Sequence, residues 1–116
     1  MITLLILYVG SGLLLSAIAV PLIQRRIPPN PWYGFRVRQT LENREVWYAA
    51  NAHAGVRLFW AGVAIIIASA ALYVVPGLSE DVYAWGCTGV MAAALFVGLG
   101  SSWRYLQRVL QEQEKP

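Results

Sequence analysis

Residues 27–55 carry acidic, basic and imidazole side chains within a short stretch of chain. Among them are Glu42, Glu45, Arg36 and the single histidine, His53. A carboxylate can activate a water molecule, an imidazole can act as an acid, and a guanidinium can stabilise an oxyanion. Glu45, His53 and Arg36 are therefore candidate catalytic residues for a metal-free hydrolysis. Their spacing does not by itself single out this reaction.

A helix is predicted to begin at Leu41, with Thr40 as its N-cap, and to run without a break towards residue 58. On a helical wheel, five of its residues fall within one narrow stripe: Glu42, Val46, Ala49, His53 and Arg57. Ionisable groups near lipid usually face water or a protein interior. One interpretation is a polar pocket at the cytoplasmic membrane boundary, closed from the loop by Arg36 and Arg38. The other is side-chain pairing on a solvated helix.

Several kinds of site are disfavoured by the composition. One histidine and one cysteine are too few for a structural zinc site. Glu45 and His53 lie about 12 Å apart along a helix, too far apart to share one ion unaided. The chain has no Walker loop, dinucleotide fingerprint or serine-nucleophile motif. We therefore predict no bound metal and no cofactor.

The elements that position this segment are predicted from three uncharged stretches, residues 2–23, 58–75 and 82–102. A helix needs about 20 apolar residues to cross the roughly 30 Å hydrocarbon core of a bilayer, and a backbone in lipid must satisfy its own polar groups. The chain has 116 residues, 58% of them hydrophobic, and a mean hydropathy of +0.52. It is predicted to form one all-α membrane domain. The expected architecture is a three-helix transmembrane bundle with a structured cytoplasmic loop between the first two spans.

The basic residues indicate how these spans are oriented. Three spans place all nine on one side of the membrane: Arg25, Arg26, Arg36, Arg38, Arg44, Arg57, Arg104, Arg108 and Lys115. The connection between the second and third spans holds Glu80 and Asp81 and no basic residue. The positive-inside rule therefore predicts an extracytoplasmic amino terminus and a cytoplasmic carboxyl terminus. Because membrane topology accounts for the net charge of +3, no nucleic-acid partner is predicted.

Small residues in the first and third spans would let helices approach closely: Gly12, Ser16, Gly86, Gly89, Ala93 and Gly100. They are consistent with packing inside one chain and with a homo-oligomer. In the loop, Pro28, Pro29 and Pro31 exclude a helix, and Gly34 predicts a backbone conformation that a side chain would block. The tail from Arg104 is predicted to be a solvated helical extension.

The loop also resembles a known signature. The string Asn30-Pro31-Trp32-Tyr33-Gly34-Phe35-Arg36, followed by Thr40-Leu41, Asn43, Glu45, Trp47 and Ala50-Asn51, is similar to that of the SdpI family. The similarity extends over about residues 30–55, and Val37 replaces a threonine usual in the family. It implies a small multi-span protein of the bacterial cytoplasmic (inner) membrane. The name-giving member is an immunity protein that shields the cell from a secreted antimicrobial peptide and signals by holding a repressor at the membrane.

The resemblance implies immunity or signalling against a membrane-active peptide, bound through the loop pocket. The predicted ligand-binding residues are Asn30, Tyr33, Arg36, Arg38, Glu42, Asn43, Trp47, Asn51 and Arg57. The predicted partners are the lipid bilayer, a peptide ligand and a second copy of the chain. A membrane-embedded hydrolase or peptidase using Glu45, His53 and Arg36 is the alternative. A small transporter, or a subunit of a larger complex, is a third interpretation.

Overall fold

The computed structural model describes residues 1–114, and its regular structure is entirely helical. The four helices are α1 (Ile2–Ile23), α2 (Arg38–Glu42), α3 (Arg44–Tyr73) and α4 (Glu80–Glu114). Three of them, α1, α3 and α4, are long and apolar enough to cross a membrane. The predicted all-α fold with three transmembrane helices is thereby confirmed. The chain is a multi-pass membrane protein.

The transmembrane helices form an elongated bundle with two distinct ends. The molecule measures 61 × 22 × 18 Å, so its long axis is about twice the roughly 30 Å hydrocarbon core. The hairpin end carries the short turn between α3 and α4. The loop end carries residues 24–43, the start of α3 and the end of α4. Both α3 and α4 extend past their uncharged stretches there, and so project beyond the membrane core.

Helix α3 is the central element, because α1 and α4 each pack along it and have few contacts with one another. Near the hairpin end, the Tyr8 hydroxyl connects α1 to α4, donating to the Ala84 carbonyl at 3.1 Å and lying 2.7 Å from Thr88 Oγ1. Towards the loop end, a cavity bordered by both helices separates them. The loop after α1 lies over this separation.

Two small residues of α1 serve packing inside the chain. A Cβ atom added at Gly12 would lie 2.6 Å from the Gly62 carbonyl oxygen, so the two backbones are in direct contact. One turn along α1, the Ser16 hydroxyl donates to the Phe59 carbonyl at 2.9 Å. By contrast, Cβ atoms added at Gly89 and Gly100 of α4 would have no neighbour within 4 Å among the described residues. Assembly of the chain into homo-oligomers stays a prediction.

The predicted start of the second long helix is wrong. The helix does not begin at Leu41 with Thr40 as its cap; α3 begins at Arg44, and Asn43 is its N-cap. Asn43 Oδ1 accepts from the Glu45 and Val46 amides at 3.0 and 3.3 Å, which satisfies donors that a helix start leaves free. Asn43 itself is extended and interrupts the helix. The predicted polar stripe is therefore broken, and Glu42 belongs to the separate helix α2.

The sequence predicted that the carboxyl-terminal part of α4 lies free in solvent. In the structure it packs against the start of α3. Leu106 is fully buried against Val46 and Ala50. The Asn43 side-chain amide also donates to Gln113 Oε1 at 3.0 Å. This small core lies outside the uncharged stretches and fixes the start of α3. The residues that bind the loop are in this part of α3.

Candidate functional site

The loop between α1 and α2 is fastened to α3 by two signature residues, one turn apart. Trp47 is fully buried, and its indole Nε1 donates to the Ile27 carbonyl at 2.8 Å. Asn51 is only 2% exposed, and its Oδ1 accepts from the Phe35 amide at 2.5 Å. Its Nδ2 donates to the carbonyls of Trp47 and Phe35 at 3.0 and 3.3 Å. The loop is thus held at both its beginning and its middle.

Gly34 is required where the loop passes over these anchors. Its φ is +113°, in the region that favours glycine, and a Cβ atom there would lie 2.6 Å from Asn51 Oδ1. The predicted need for glycine at this position is confirmed. A side chain would both strain the backbone and displace the amide that binds Phe35.

Two more polar residues close turns within the loop. Asn30 Oδ1 accepts from the backbone amides of Trp32 and Tyr33 at 2.9 and 2.7 Å. Thr40 is buried; its hydroxyl accepts from the Val37 amide at 3.0 Å and lies 2.9 Å from the Phe35 carbonyl. The polar atoms of four predicted ligand-binding residues make contacts that hold the chain together: Asn30, Asn43, Trp47 and Asn51. Their ligand-binding roles stay predictions.

A cavity of about 290 Å³, which we call the groove cavity, lies between α1, α3, α4 and the loop. Two predicted ligand-binding residues line it, Tyr33 from the loop and Arg57 from α3. Most of the remaining lining is aliphatic or aromatic, including Ile18, Leu22 and Leu99. Burial raises the pKa of the Tyr33 phenol, which reinforces the neutral form that this group already has at neutral pH.

A second, more open hollow of about 640 Å³ lies between the loop and α4, and we call it the outer hollow. It shares three lining residues with the groove cavity: Gly34, Phe35 and Leu99. Arg36 also lines it; its guanidinium donates to the Pro31 carbonyl and, at 3.4 Å, to the Gly34 carbonyl. Trp103 and Phe96 of α4 contribute exposed aromatic surface.

Arg38 and Glu42 lie away from both cavities and form the single ion pair found within residues 1–114. Arg38 Nε is 3.0 Å from Glu42 Oε1, four residues further along the chain, and the two side chains are 84% and 64% exposed. Pairs exposed to this degree contribute little to stability. The pair lies on the exposed surface of α2. This geometry does not support the predicted closing of a pocket by Arg38.

The three candidate catalytic residues are not brought together. Glu45 is exposed in the first turn of α3. His53 stacks on Tyr105 of α4, with ring centroids 4.2 Å apart and planes inclined by 4°, and its Nε2 is 3.3 Å from Ser101 Oγ. Arg36 is held by loop carbonyls. A shared reacting atom would need all three within hydrogen-bonding reach, so the arrangement does not favour the hydrolase.

Comparison with protein families identifies the chain. A model of the SdpI/YfhL protein family matches residues 26–105, well over half of the 116 residues. The chain belongs to the SdpI/YfhL family. The resemblance of the loop to the family signature is thereby confirmed. Comparison with curated proteins and with solved structures finds no match.

The SdpI/YfhL match extends well beyond the loop signature of residues 30–55. It begins at Arg26, three residues after the end of α1, and ends at Tyr105, the residue on which His53 stacks. It therefore includes the loop, all of α3 and the part of α4 that borders both cavities. Both loop-end cavities in this SdpI/YfhL protein are built mainly from the matched region.

None of the site residues predicted from the sequence lies in α4, although this helix supplies one wall of each cavity. Phe96, Leu99 and Trp103 line the outer hollow beside Gly100, and Gly98 lines the groove cavity. The alternation of bulky apolar residues with glycines is the only signal that the sequence offers for this wall. Such a pattern is equally typical of ordinary helix packing in a membrane.

Proposed function

We propose that this SdpI/YfhL protein acts in immunity or signalling against a membrane-active peptide, which it binds at the loop end through the outer hollow. The observation that carries the proposal is the fixing of the family-signature loop beside α4. Trp47 and Asn51 anchor the loop. Arg36 of the anchored loop then lines this hollow together with Trp103 of α4. Its volume of about 640 Å³ lies in the usual ligand-site range of roughly 300–1,000 Å³.

The chemistry of the hollow suits an amphipathic peptide. Trp103, 45% exposed, and Phe96, 74% exposed, offer aromatic surface on which apolar side chains can pack. Arg36 is exposed, and its guanidinium can take a carboxylate of the peptide in addition to the loop carbonyls. An apolar wall with one cation at its edge favours a ligand that carries both apolar side chains and a carboxylate.

A leucine at Gly100 is expected to block this function. Gly100 lines the outer hollow, and a Cβ atom there meets no described atom within 4 Å, so the fold should accept the change while the hollow is filled. Expression of the wild-type chain in a sensitive bacterial host should raise the inhibitory concentration of a peptide from a panel of secreted and synthetic membrane-active peptides. Gly100→Leu should reduce peptide affinity by about tenfold, which corresponds to about 1.4 kcal/mol, and abolish the protection.

The matched control is Gly89→Leu, on the same helix and with equally open surroundings but away from the hollow. It should protect as the wild type does at equal expression. Absence of protection by the wild-type chain against every peptide in the panel would contradict the proposal. So would full protection by Gly100→Leu.

We further propose that the protein resides in the bacterial inner membrane with its loop end in the cytoplasm. Support comes from the basic residues at that end and from Glu80 and Asp81 at the hairpin end. In a Cys87→Ala background, which removes the single native thiol, a cysteine replacing Trp32 tests this orientation. Trp32 is 85% exposed in the loop, so a thiol there is accessible to reagents.

In intact cells, the Trp32→Cys thiol is expected to react with a membrane-permeant maleimide and not with an impermeant one. The control is Glu80→Cys at the exposed start of α4, which should react with both reagents. Labelling of the loop thiol by the impermeant reagent would show that the loop end lies outside the cytoplasm, which contradicts the proposed orientation.

A further inference from the structure

The groove cavity is bordered by a positively charged residue that forms no ion pair within the described chain. Arg57 lines the cavity on α3, and its Cβ lies 3.5 Å from the position of a Cβ atom added at Gly98 of α4. No ion pair or hydrogen bond joins its guanidinium to any residue from 1 to 114. The remaining described lining of the cavity carries no charge.

The packing of α3 on α1 shows how deep the backbone of Arg57 lies. Gly55 contacts Ala19, Leu22 and Ile23 of α1, and the Phe59 carbonyl accepts from Ser16. The backbone of residue 57, between these two contacts, is therefore level with about residue 18. Since α1 ends at Ile23, it lies roughly 7 Å inside the end of that helix at 1.5 Å per residue.

Arg57 is exposed on the described chain, so its side chain meets the surrounding membrane. A guanidinium at this depth needs an anion or water around it, because an unpaired charge in an apolar layer is costly. The flexible side chain can extend towards the loop end and place its charge at the level of the lipid headgroups. Arg25, Arg26 and Arg104 lie near the same end and add to the positive potential there. An anion is the complementary occupant.

The shape and lining of the cavity indicate what this anion is attached to. Ile18 and Leu22 of α1 face Leu95 and Leu99 of α4 across it, so its sides are hydrocarbon. Its volume of about 290 Å³ is at the small end of ligand sites. An α-helix, with a diameter of about 10–12 Å including side chains, is too wide to enter. A single extended hydrocarbon chain fits.

We propose that the groove cavity binds one anionic phospholipid. The phosphate contacts the Arg57 guanidinium, and the first methylenes of an acyl chain lie between α1 and α4, against Leu22 and Leu99. Guanidinium groups bind phosphate through two parallel hydrogen bonds, which neutralises the charge of Arg57. The ligand is a component of the surrounding membrane, so the site is filled without any peptide. This inference is accordingly independent of the peptide-binding function.

Competition between two lipids tests the site. The purified full chain in neutral detergent is mixed with phosphatidylglycerol and phosphatidylcholine in equal amounts, and bound lipids are counted by native mass spectrometry. Salt of about 0.5 M screens the exposed surface charges and suppresses non-specific attraction. The wild type is expected to retain one phosphatidylglycerol, with at least about a tenfold preference over phosphatidylcholine.

Two substitutions localise the lipid. Arg57→Gln should remove the preference, and Gly98→Leu should remove the bound lipid by filling the cavity. A Cβ at Gly98 makes only an ordinary contact with Arg57, so this variant should fold, as a melting curve in lipid-free detergent will verify. Arg104→Gln, which removes an exposed charge of α4 near the same end, is the matched control and should keep the preference at high salt.

Three results would overturn the proposal. They are equal retention of the two lipids by the wild type, an unchanged preference in Arg57→Gln, and an equal loss in Arg104→Gln. In each case the lipid would be bound non-specifically, either by surface charge or within the detergent micelle, and not in the groove cavity. Because no peptide is present, a negative result leaves the outcome of the Gly100→Leu protection assay unaffected.

Discussion

Valine at Gly62 is expected to drive α1 away from α3 and to cause one of the two largest losses of stability in this chain. The backbones of Gly12 and Gly62 are in direct contact, and a Cβ atom at Gly62 would overlap the Gly12 carbonyl oxygen and lie 3.0 Å from the Ser16 amide nitrogen. Both are backbone atoms, so no side-chain rotation relieves the overlap. In a membrane, helix association depends on such close packing, because lipid is as apolar as the side chains.

We expect Gly62→Val to lower the free energy of unfolding by about 3 kcal/mol, at the upper end of overpacking effects. Unfolding in mixed detergent micelles, followed by circular dichroism, measures the change. Gly10→Val is the matched control, since a Cβ atom at Gly10 of α1 meets no described atom within 4 Å. Equal stabilities of the two variants would show that the close crossing of α1 and α3 contributes nothing.

Leucine at Asn51 is expected to release the loop from α3 while leaving the transmembrane bundle assembled. The substitution keeps the branched shape and the number of side-chain heavy atoms but removes the acceptor of the Phe35 amide and the donor to the Phe35 carbonyl. A net hydrogen bond contributes about 0.5–1.5 kcal/mol, and a buried polar group left unpaired costs about 1–3 kcal/mol. The expected loss is about 2–4 kcal/mol, concentrated in the loop.

Hydrogen exchange distinguishes local release from global unfolding. In Asn51→Leu, the Phe35 amide should exchange at least about a hundredfold faster, equivalent to about 2.8 kcal/mol, while the amides where α1 crosses α3 keep their protection. Asn30→Ala is the control: it removes hydrogen bonds within one exposed turn and should cost less than about 1.5 kcal/mol. Unchanged exchange at Phe35 in Asn51→Leu would mean that the asparagine does not anchor the loop.

These anchors also position the stretch of the loop that borders both cavities. Gly34 and Phe35 line both the groove cavity and the outer hollow, and their positions depend on Asn51. Asn51, predicted from the family signature to bind a ligand, thus holds in place the loop residues that line the two cavities. Arg36 and Arg57 are the guanidinium groups that line the two cavities, one in each.

The predicted polar stripe on the second helix illustrates where sequence reasoning failed. It assumed a continuous helix through Glu42, Val46 and His53, with all three on one face. Asn43 ends that continuity, because its side chain caps α3 and its backbone is extended. Thr40 and Asn43 are both favourable N-caps by residue type, and the choice between them depends on a buried contact of Thr40 with Phe35.

Properties that depend on local composition could be predicted without any structure. Three uncharged stretches of spanning length specify three transmembrane helices, because any backbone placed in lipid must form its own hydrogen bonds. The requirement for glycine at position 34 was also readable, since two bulky aromatic residues flank it. The loop signature, a contiguous string, was sufficient to indicate the family.

Contacts between distant side chains, by contrast, are set by the way the helices pack. Trp47 bonds to a carbonyl 20 residues away, Asn51 to Phe35 at a separation of 16, and His53 to Ser101 at 48. No periodicity within a single helix encodes such pairs, because they depend on how α1 and α4 are arranged around α3. The same arrangement leaves Arg57 at the edge of an apolar groove, while other predicted site residues hold the loop.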